Sequence, residues 1–593
     1  MTSLFPSTRL LRSSGVAPLR ARLFEQSSKR TTGCSRAACH TKSLSTTSSA
    51  KQQRSTPRST ISPSTLPPSH GVQGDPALRP PLAKHTTLYD SDLDATIVIH
   101  PDTVSIVSPS NRIHRPFHFD HVWLRDACTE QGASLQLGSG QKVFHTSDVP
   151  IPQYGFGLLD ANVTPRLVDA PNGRSLELTF EMSHGVLNAF SATFAAPAPP
   201  PTLPSTPHVS RIPIALLLDH ASPQRYAASH FDIGAVASSW EGADLTAFPS
   251  SSPPLSASEE KSSRFDRQAA TSRPARVDWT TLNPHNAVND FAVDQVNAHR
   301  ALAEALMRDG LAFVTGLPID TTGSQPRADG DSCSLARLAE TLGEIRHTFY
   351  GPLWDVRSLG SGSRNIAYTN VDLGFHMDLC YFQNPPRFQF LHMLKCKVRG
   401  GESIFVDAYK VAEYMWQHHR ELWQVLAEVP VGFHYNNDGY HYRYTHPTFE
   451  VAGPTSGHWG PADSSSDERM PRLTAVNYSP PFQSPLPLTT PRMQSPAERR
   501  KFYEALKTFA DLTHDPKFKY ERMLGEGECV IFDNRRVLHS RKGFEWDEKE
   551  EEEGGQVKRW LKGCYVDGDA IWSKYRVLVA QARASAGSAA SMQ

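Results

Sequence analysis

The chain has 593 residues, with 61 basic and 61 acidic side chains, so its charge is not that of a general nucleic-acid or membrane-surface binder. Its longest apolar run, Ile212–Leu218, is far too short to span a bilayer. Eight cysteines, at positions 34, 39, 128, 333, 380, 396, 529 and 564, show no paired spacing, which fits reduced thiols inside a cell and argues against a disulfide framework.

In chain order, residues 1–50 are rich in Arg and Ser, and Glu25 is the one acidic residue before Asp75. Arg9, Arg12, Arg20, Arg22, Lys29 and Arg30 alternate with Leu, Phe and small residues. That composition predicts a mitochondrial transit peptide; the other reading is a plain basic tail on a cytoplasmic protein. Residues 51–86 are Ser/Thr/Pro/Gln-rich and read as a disordered linker. Folded sequence begins near Thr87. Alternating apolar residues in Ala95–Ile99 and Thr103–Val107 predict two strands, and Ser175–Phe180 predicts another, giving a small β-rich N-terminal domain over 87–200. Residues 201–274 are expected to be a Pro/Ser-rich insertion and linker.

From 275 to 585 the pattern changes to strands with flanking helices. A helix is predicted over Ala292–Arg308, stopped by Asp309-Gly310 and followed by a strand, Leu311–Val314. Further helices are expected at Leu335–Leu342, Lys410–Glu428 and Ala497–Asp511. Apolar runs at Phe388–Leu394 and Ser403–Asp407 flank a Gly400-Gly401 turn, and Gly527–Asn534 reads as turn, buried strand, turn. The fold class expected is mainly β with flanking helices, a double-stranded β-helix (jelly-roll). The acidic run Asp547–Glu553 reads as a solvated loop without chemistry.

Within this domain the chemistry centres on His376, Asp378 and the distant His539. Two imidazoles and one carboxylate on one face of a metal leave positions open, the arrangement that suits non-haem Fe(II) and O2 activation. His376 and Asp378 are spaced i, i+2, so an extended segment would point both the same way. Alone, a His-x-Asp pair is more often two surface polar residues than a metal site. The later Arg559 supplies what a chelating 2-oxo acid needs at its far carboxylate, a guanidinium fork.

The blocks Arg346–Asp407 and Gly525–Asp567 resemble the gamma-butyrobetaine and trimethyllysine dioxygenases, of the taurine-dioxygenase-like branch of Fe(II)/2-oxoglutarate oxygenases. The pieces that carry the resemblance are, in order, Phe349-Tyr350-Gly351-Pro352-Leu353-Trp354, Asn365-Ile366-Ala367-Tyr368-Thr369, the His376/Asp378 pair, Gly400-Gly401 through Asp407, and Phe532-Asp533-Asn534-Arg535-Arg536-Val537-Leu538-His539. The resemblance covers residues 275–580 well and 90–200 weakly. It implies Fe(II) on His376, Asp378 and His539, 2-oxoglutarate paired with Arg559, and O2 as cosubstrate, with ascorbate as a further reductant and a homodimer as the assembly. Arg576 is the fallback for Arg559.

It also implies an aromatic cage of Tyr350, Trp354, Tyr368 and Tyr565 around a trimethylammonium head, with Asn365 and Asn477 toward the substrate's other end. A quaternary ammonium has no N–H to donate, so it is held by aromatic faces, each contact worth about 0.5–2 kcal/mol. Taken singly, each of these aromatics is more often ordinary core. In the N-terminal region, Trp123-Leu124-Arg125-Asp126 followed by Cys128 is similar to the family's small domain, which often carries a structural zinc. Here Cys128 stands alone, with only His145 downstream, so no zinc is expected. The activity implied is hydroxylation of gamma-butyrobetaine to L-carnitine. Trimethyllysine is the nearest alternative, since Gly563-Cys564-Tyr565 and Tyr381-Phe382-Gln383 resemble that sister family. Another small amine or acid on the same fold is a further one. A catalytically inactive scaffold is the reading from a different class, and the intact triad with Arg559 argues against it.

Overall fold

The computed structural model describes residues 86–590 apart from 101–102, 150–163, 171–172, 181–207, 231–232, 246–272, 284–291, 320–332, 358–371, 453–469 and 546–556. The expected transit peptide and almost all of the linker lie outside the described residues, as does the acidic run 547–553.

Two sheets face each other to form a jelly-roll. The larger has six strands in the order Trp354–Arg357, Arg559–Val566, Phe388–Cys396, Cys529–Asp533, Leu311–Thr315, Ala275–Asp278. The smaller has four, in the order Leu373–His376, Val537–Arg541, Ser403–Asp407, Lys519–Arg522. Strand periodicity sorts their side chains. Phe313, Phe405, Val530, Phe532 and Leu561 point inward and pack as one core between the sheets. Residues of the opposite parity, such as Phe390, Ile531 and Cys564, point outward from the larger sheet under helices Ala292–Asp309, Ser334–Leu342 and Gly568–Ala590. Ile404, Val406 and Leu538 do the same on the smaller sheet, under Ala408–His418, Arg420–Glu428 and Pro496–His514.

The last of these helices is set by its sequence. Ser495 accepts from the Glu498 amide while the Glu498 carboxylate accepts from the Ser495 amide, Pro496 occupies the first turn, and Phe502, Ala505 and Phe509 form the buried face. The helix expected over Lys410–Glu428 is two helices, because the chain breaks at His419, whose backbone (φ −140°, ψ 46°) is not helical.

In the N-terminal domain a four-stranded meander, Thr86–Asp90 to Ile113–Asp120, shares a core with a three-stranded sheet. The third strand of that sheet, His208–Pro213, comes from the stretch whose composition suggested an insertion, and it leads into helix Ile214–Ala221. The run Ile212–Leu218 buries Ile212, Ile214, Leu217 and Leu218 there, which explains its apolarity. The Cys128 thiol meets Nε2 of His208 at 3.3 Å, rather than His145, and the described residues bring no cluster of three metal-ligating side chains together at this place.

Trp240, fully buried in the jelly-roll core, marks where the connecting segment docks; its indole donates to the Asp309 carbonyl at 2.8 Å and its amide to Asp407 at 3.1 Å. Asp407 also takes a two-pronged bond from Arg536, at 3.1 and 2.7 Å, and both residues are buried. Removing one partner of such a pair leaves an uncompensated charge, so Asp407→Ala is expected to cost about 3–5 kcal/mol of folding stability. In urea unfolding, Arg166→Ala, which breaks the exposed Arg166–Glu177 pair, should instead leave the midpoint close to wild type.

Candidate active site

The two imidazoles owe their proximity to strand register. Leu373–His376 and Val537–Arg541 are antiparallel neighbours in which His376 lies directly opposite His539. Both residues fall on the inner face, and their rings stand 4.2 Å apart. Asp378 joins them by a different route from the one its spacing suggested. The strand ends at His376, the Met377 amide donates to the Tyr478 carbonyl at 2.8 Å, and the chain turns through Leu379 at φ +61°. The carboxylate therefore arrives from a turn, and its Oδ1 lies 3.5 Å from His376 Nε2.

That turn is held by Asn534, a fully buried residue 156 positions away in sequence. Its Oδ1 accepts from the Asp378 amide at 2.8 Å, and its Nδ2 donates to the Asp378 carbonyl at 3.0 Å and to the Pro386 carbonyl at 3.2 Å. Asn534 sits in the reversal between Cys529–Asp533 and the strand that carries His539, so one amide ties the two ligand-bearing segments together. Its neighbours anchor the reversal. Asp533 accepts from Arg387 at 2.8 and 3.0 Å, Arg535 reaches Glu450 at 2.8 Å, and Arg536 holds Asp407.

His376, Asp378 and His539 bring their ligand atoms within 4.8 Å of one another, the one such group among the described residues. The Gly374 carbonyl accepts from His376 Nδ1 at 2.9 Å, which assigns the proton to Nδ1 and leaves Nε2 as the donor toward a metal. Burial, and then the neighbouring His376 ring, holds the pKa of His539 well below its ordinary value, so it stays a neutral ligand. His539 Nδ1 is buried with no hydrogen-bond partner. A carboxylate and two imidazoles, one of them with an orphaned ring nitrogen, fit a divalent metal with open positions.

On the inner face of the larger sheet, Arg559 is 4% exposed and forms no ion pair among the described residues. Its Nη2 reaches the Gly401 carbonyl only at 3.5 Å, and its Nε has no partner. Burial, and then the Arg541 guanidinium, pushes its pKa down to about 10. Arg541 follows His539 at i+2 and so shares its inward face, and both guanidiniums approach the Phe544 ring, at 5.7 and 4.8 Å. The Gly400-Gly401 turn makes this possible. Gly401 sits at φ +82°, and a Cβ there would lie 3.4 Å from Arg559 Nε and 3.3 Å from Phe544. Arg576, the fallback, is exposed on the terminal helix.

Of the expected cage, the structure brings together Tyr350, Trp354 and Tyr565. Trp354 is 6.5 Å from Tyr350 and 5.3 Å from Tyr565, and its ring lies against Gly563, where a Cβ would come within 2.4 Å of it. The Tyr565 hydroxyl donates to Asp378 Oδ2 at 2.8 Å, which sets these rings beside the metal ligands. Burial and the Asp378 carboxylate raise the tyrosine's pKa well above its usual value, so the hydroxyl remains a donor. Asn365 and Tyr368 lie outside the described residues. Asn477 is buried and its amide is engaged by the protein itself, donating to the Pro447 carbonyl at 2.9 Å and accepting from Arg535.

Residues 280–565 match the family described as taurine catabolism dioxygenase TauD, TfdA family. Dioxygenase str8 of Strobilurus tenacellus is 42% identical over 324 residues, covering 54% of this chain and 69% of that protein. The chain belongs to the TauD/TfdA dioxygenase family. Gamma-butyrobetaine dioxygenase of a Pseudomonas strain is 33% identical over 245 residues, 41% of this chain and 56% of that protein. A trimethyllysine dioxygenase of Meyerozyma guilliermondii is 28% identical over 276 residues, 46% of this chain and 58% of its own length. The chain thus spans little more than half the length of these two relatives. Membership makes it a 2-oxoglutarate-dependent dioxygenase, with Fe(II) as its metal cofactor, 2-oxoglutarate and O2 as its cosubstrates and a small molecule as substrate.

Asn534 and Arg541 were not among the residues singled out in the sequence. Arg541 had a readable signal, its i+2 spacing from a strand-borne ligand; Asn534 had none, because its role depends on a contact across 156 residues. Asn534→Ala is expected to weaken Fe(II) binding by about 10–100-fold in anaerobic titration and, by stranding the Asp378 backbone groups, to lower stability by about 1–3 kcal/mol. An unchanged Fe(II) affinity would remove the clamp from this account.

Proposed function

We propose that this dioxygenase hydroxylates a small trimethylammonium compound, with gamma-butyrobetaine the first candidate and L-carnitine the product. The observation that supports it most is the line Tyr350–Trp354–Tyr565, which runs from an aromatic cluster to a hydroxyl 2.8 Å from the metal-ligating carboxylate. Aromatic faces suit a cation that cannot donate hydrogen bonds.

His376, Asp378 and His539 would hold Fe(II), and Arg559 with Arg541 would take the distal carboxylate of 2-oxoglutarate. Bound Fe(II), with 2-oxoglutarate and O2, supplies the oxidising power for C–H hydroxylation. The protein's own part is placement. His376 Nδ1 keeps its proton on the Gly374 carbonyl, so the ring presents Nε2. Arg559, buried and without a carboxylate partner among the described residues, provides a charge that an incoming anion would neutralise. The aromatic rings fix the ammonium end and so determine which carbon faces the metal.

Trimethyllysine is the second reading, carried by the same cage and by the 28% identical relative of that name. The basic, Arg/Ser-rich first fifty residues support placing the protein in the mitochondrion, and the resemblance to the family supports a homodimer.

Mass spectrometry of products from gamma-butyrobetaine and trimethyllysine, assayed side by side with 2-oxoglutarate turnover, tests the reading. Hydroxylated gamma-butyrobetaine is the expected product; turnover with neither compound would overturn the trimethylammonium assignment. His376→Ala, Asp378→Ala and His539→Ala are each expected to abolish turnover. Trp354→Ala is expected to raise KM for the ammonium substrate by about tenfold and to leave KM for 2-oxoglutarate nearly unchanged. Arg559→Ala should show the opposite split, and parallel rises in both constants for either variant would sink the assignment of two separate sites.

A further inference from the structure

Tyr565 takes part in two structures at once. Its ring stands 5.3 Å from Trp354 at an interplanar angle of 34°, as a wall of the aromatic cluster. Its hydroxyl donates to Oδ2 of Asp378 at 2.8 Å, while Oδ1 of the same carboxylate is the oxygen 3.5 Å from His376 Nε2. The main chain of Asp378 is already fixed on both sides by Asn534, so rotation of the carboxylate is the freedom that remains. A donor on Oδ2 removes that freedom and opposes the binding of a metal through both oxygens. Tyr565 itself is held firmly. It lies on the strand next to the edge of the larger sheet, opposite Gln389 in the neighbouring inner strand, and is 2% exposed. Gln389 is also buried, and its Oε1 has no hydrogen-bond partner, so it does not draw the tyrosine hydroxyl away from Asp378.

We propose that Tyr565 is a positioning residue that couples the aromatic site to the metal centre. Its hydroxyl keeps Asp378 a one-oxygen ligand, and a cation packed against its ring moves that hydroxyl and the carboxylate with it. The first half depends on the metal site alone; the second rests on the trimethylammonium reading.

The test compares the full-length wild type with Tyr565→Phe, which keeps the ring and removes the hydroxyl, using Co(II) as a spectroscopic probe with 2-oxoglutarate present. The variant is expected to bind Co(II) about tenfold more weakly and to show an altered visible absorption band. Gamma-butyrobetaine should shift the wild-type band and leave that of the variant unmoved, although calorimetric titration still detects its binding. Equal Co(II) affinity and equal bands in the two proteins would overturn the positioning role. With the metal difference intact, a wild-type band that ignores a trimethylammonium compound shown to bind would overturn the coupling alone, and binding of no such compound would overturn the substrate reading; the positioning role stands in both cases. Protein labelled with fluorotyrosine gives a second measurement that does not require the variant to fold. One buried fluorine resonance should respond both to Zn(II) and to gamma-butyrobetaine, and the absence of any resonance that responds to both counts against the coupling.

Discussion

The register that sets His376 opposite His539 is the constraint from which the rest of the site follows. In an antiparallel pair a slip of one residue would turn every side chain of the strand to the other face. His539 would then point out toward the helices and Leu538 into the barrel. The register is held at the ends of the strands rather than by the imidazoles themselves. Leu538 is wanted by the outer core, Val537 by the inner one, and the reversal before them is pinned by Asp533, Asn534, Arg535 and Arg536. Asn534 alone touches the other ligand segment, so its amide converts a sheet register into a three-residue centre.

The charges buried around that reversal fall into two classes. Arg387, Arg535 and Arg536 are each matched by a protein carboxylate, so the desolvation they suffer is offset within the fold and their bonds specify one backbone path. Arg559 is buried too but faces Arg541 and the Phe544 ring, and burial with that like charge drives its pKa down. Among the described residues, three of these guanidiniums meet carboxylates and a fourth faces a like charge, an environment suited to an anion that arrives from solution.

Much of this was legible in the sequence, and the gaps have physical causes. Strands Ala95–Ile99 and Ser403–Asp407 were readable because alternation or a short apolar run bounded by turn residues reports burial directly. The three candidate metal ligands stood out because two imidazoles and a carboxylate fall in the blocks that carry the family resemblance, and the fold brings their ligand atoms within 4.8 Å of one another. Asp378 was expected on the strand beside His376; the structure moves it into a turn, since the positive φ at Leu379 and the bond from Met377 to Tyr478 leave no visible mark in composition. The strand at His208–Pro213 was hidden by the Pro- and Ser-rich residues around it, and the break at His419 by a helical apolar pattern that continues in phase on both sides. Asn477 illustrates the limit of reading polar residues one at a time. Its amide faces Pro447 and Arg535, partners that only the folded chain brings near.

On the proposed reading, a single strand, Arg559–Val566, carries the logic by which two small molecules are told apart. Arg559 and Tyr565 are six positions apart, an even number, so both face inward, about 20 Å from each other along the strand. At one end lie two buried guanidiniums, which attract a dicarboxylate and repel a quaternary ammonium. At the other lie three aromatic rings, which attract the ammonium through their faces and offer a carboxylate little in return. Gly563, between them, has no side chain, and the Trp354 ring fills the space a Cβ would need. Opposite charge preference at the two ends of one rigid element means that each molecule is excluded from the other's place by electrostatics, before shape or length is read. The three candidate metal ligands lie between these ends, since Asp378 meets the Tyr565 hydroxyl while His539 is two residues from Arg541, so a short dicarboxylate anchored at the guanidiniums and an ammonium held by the rings would approach the metal from opposite sides.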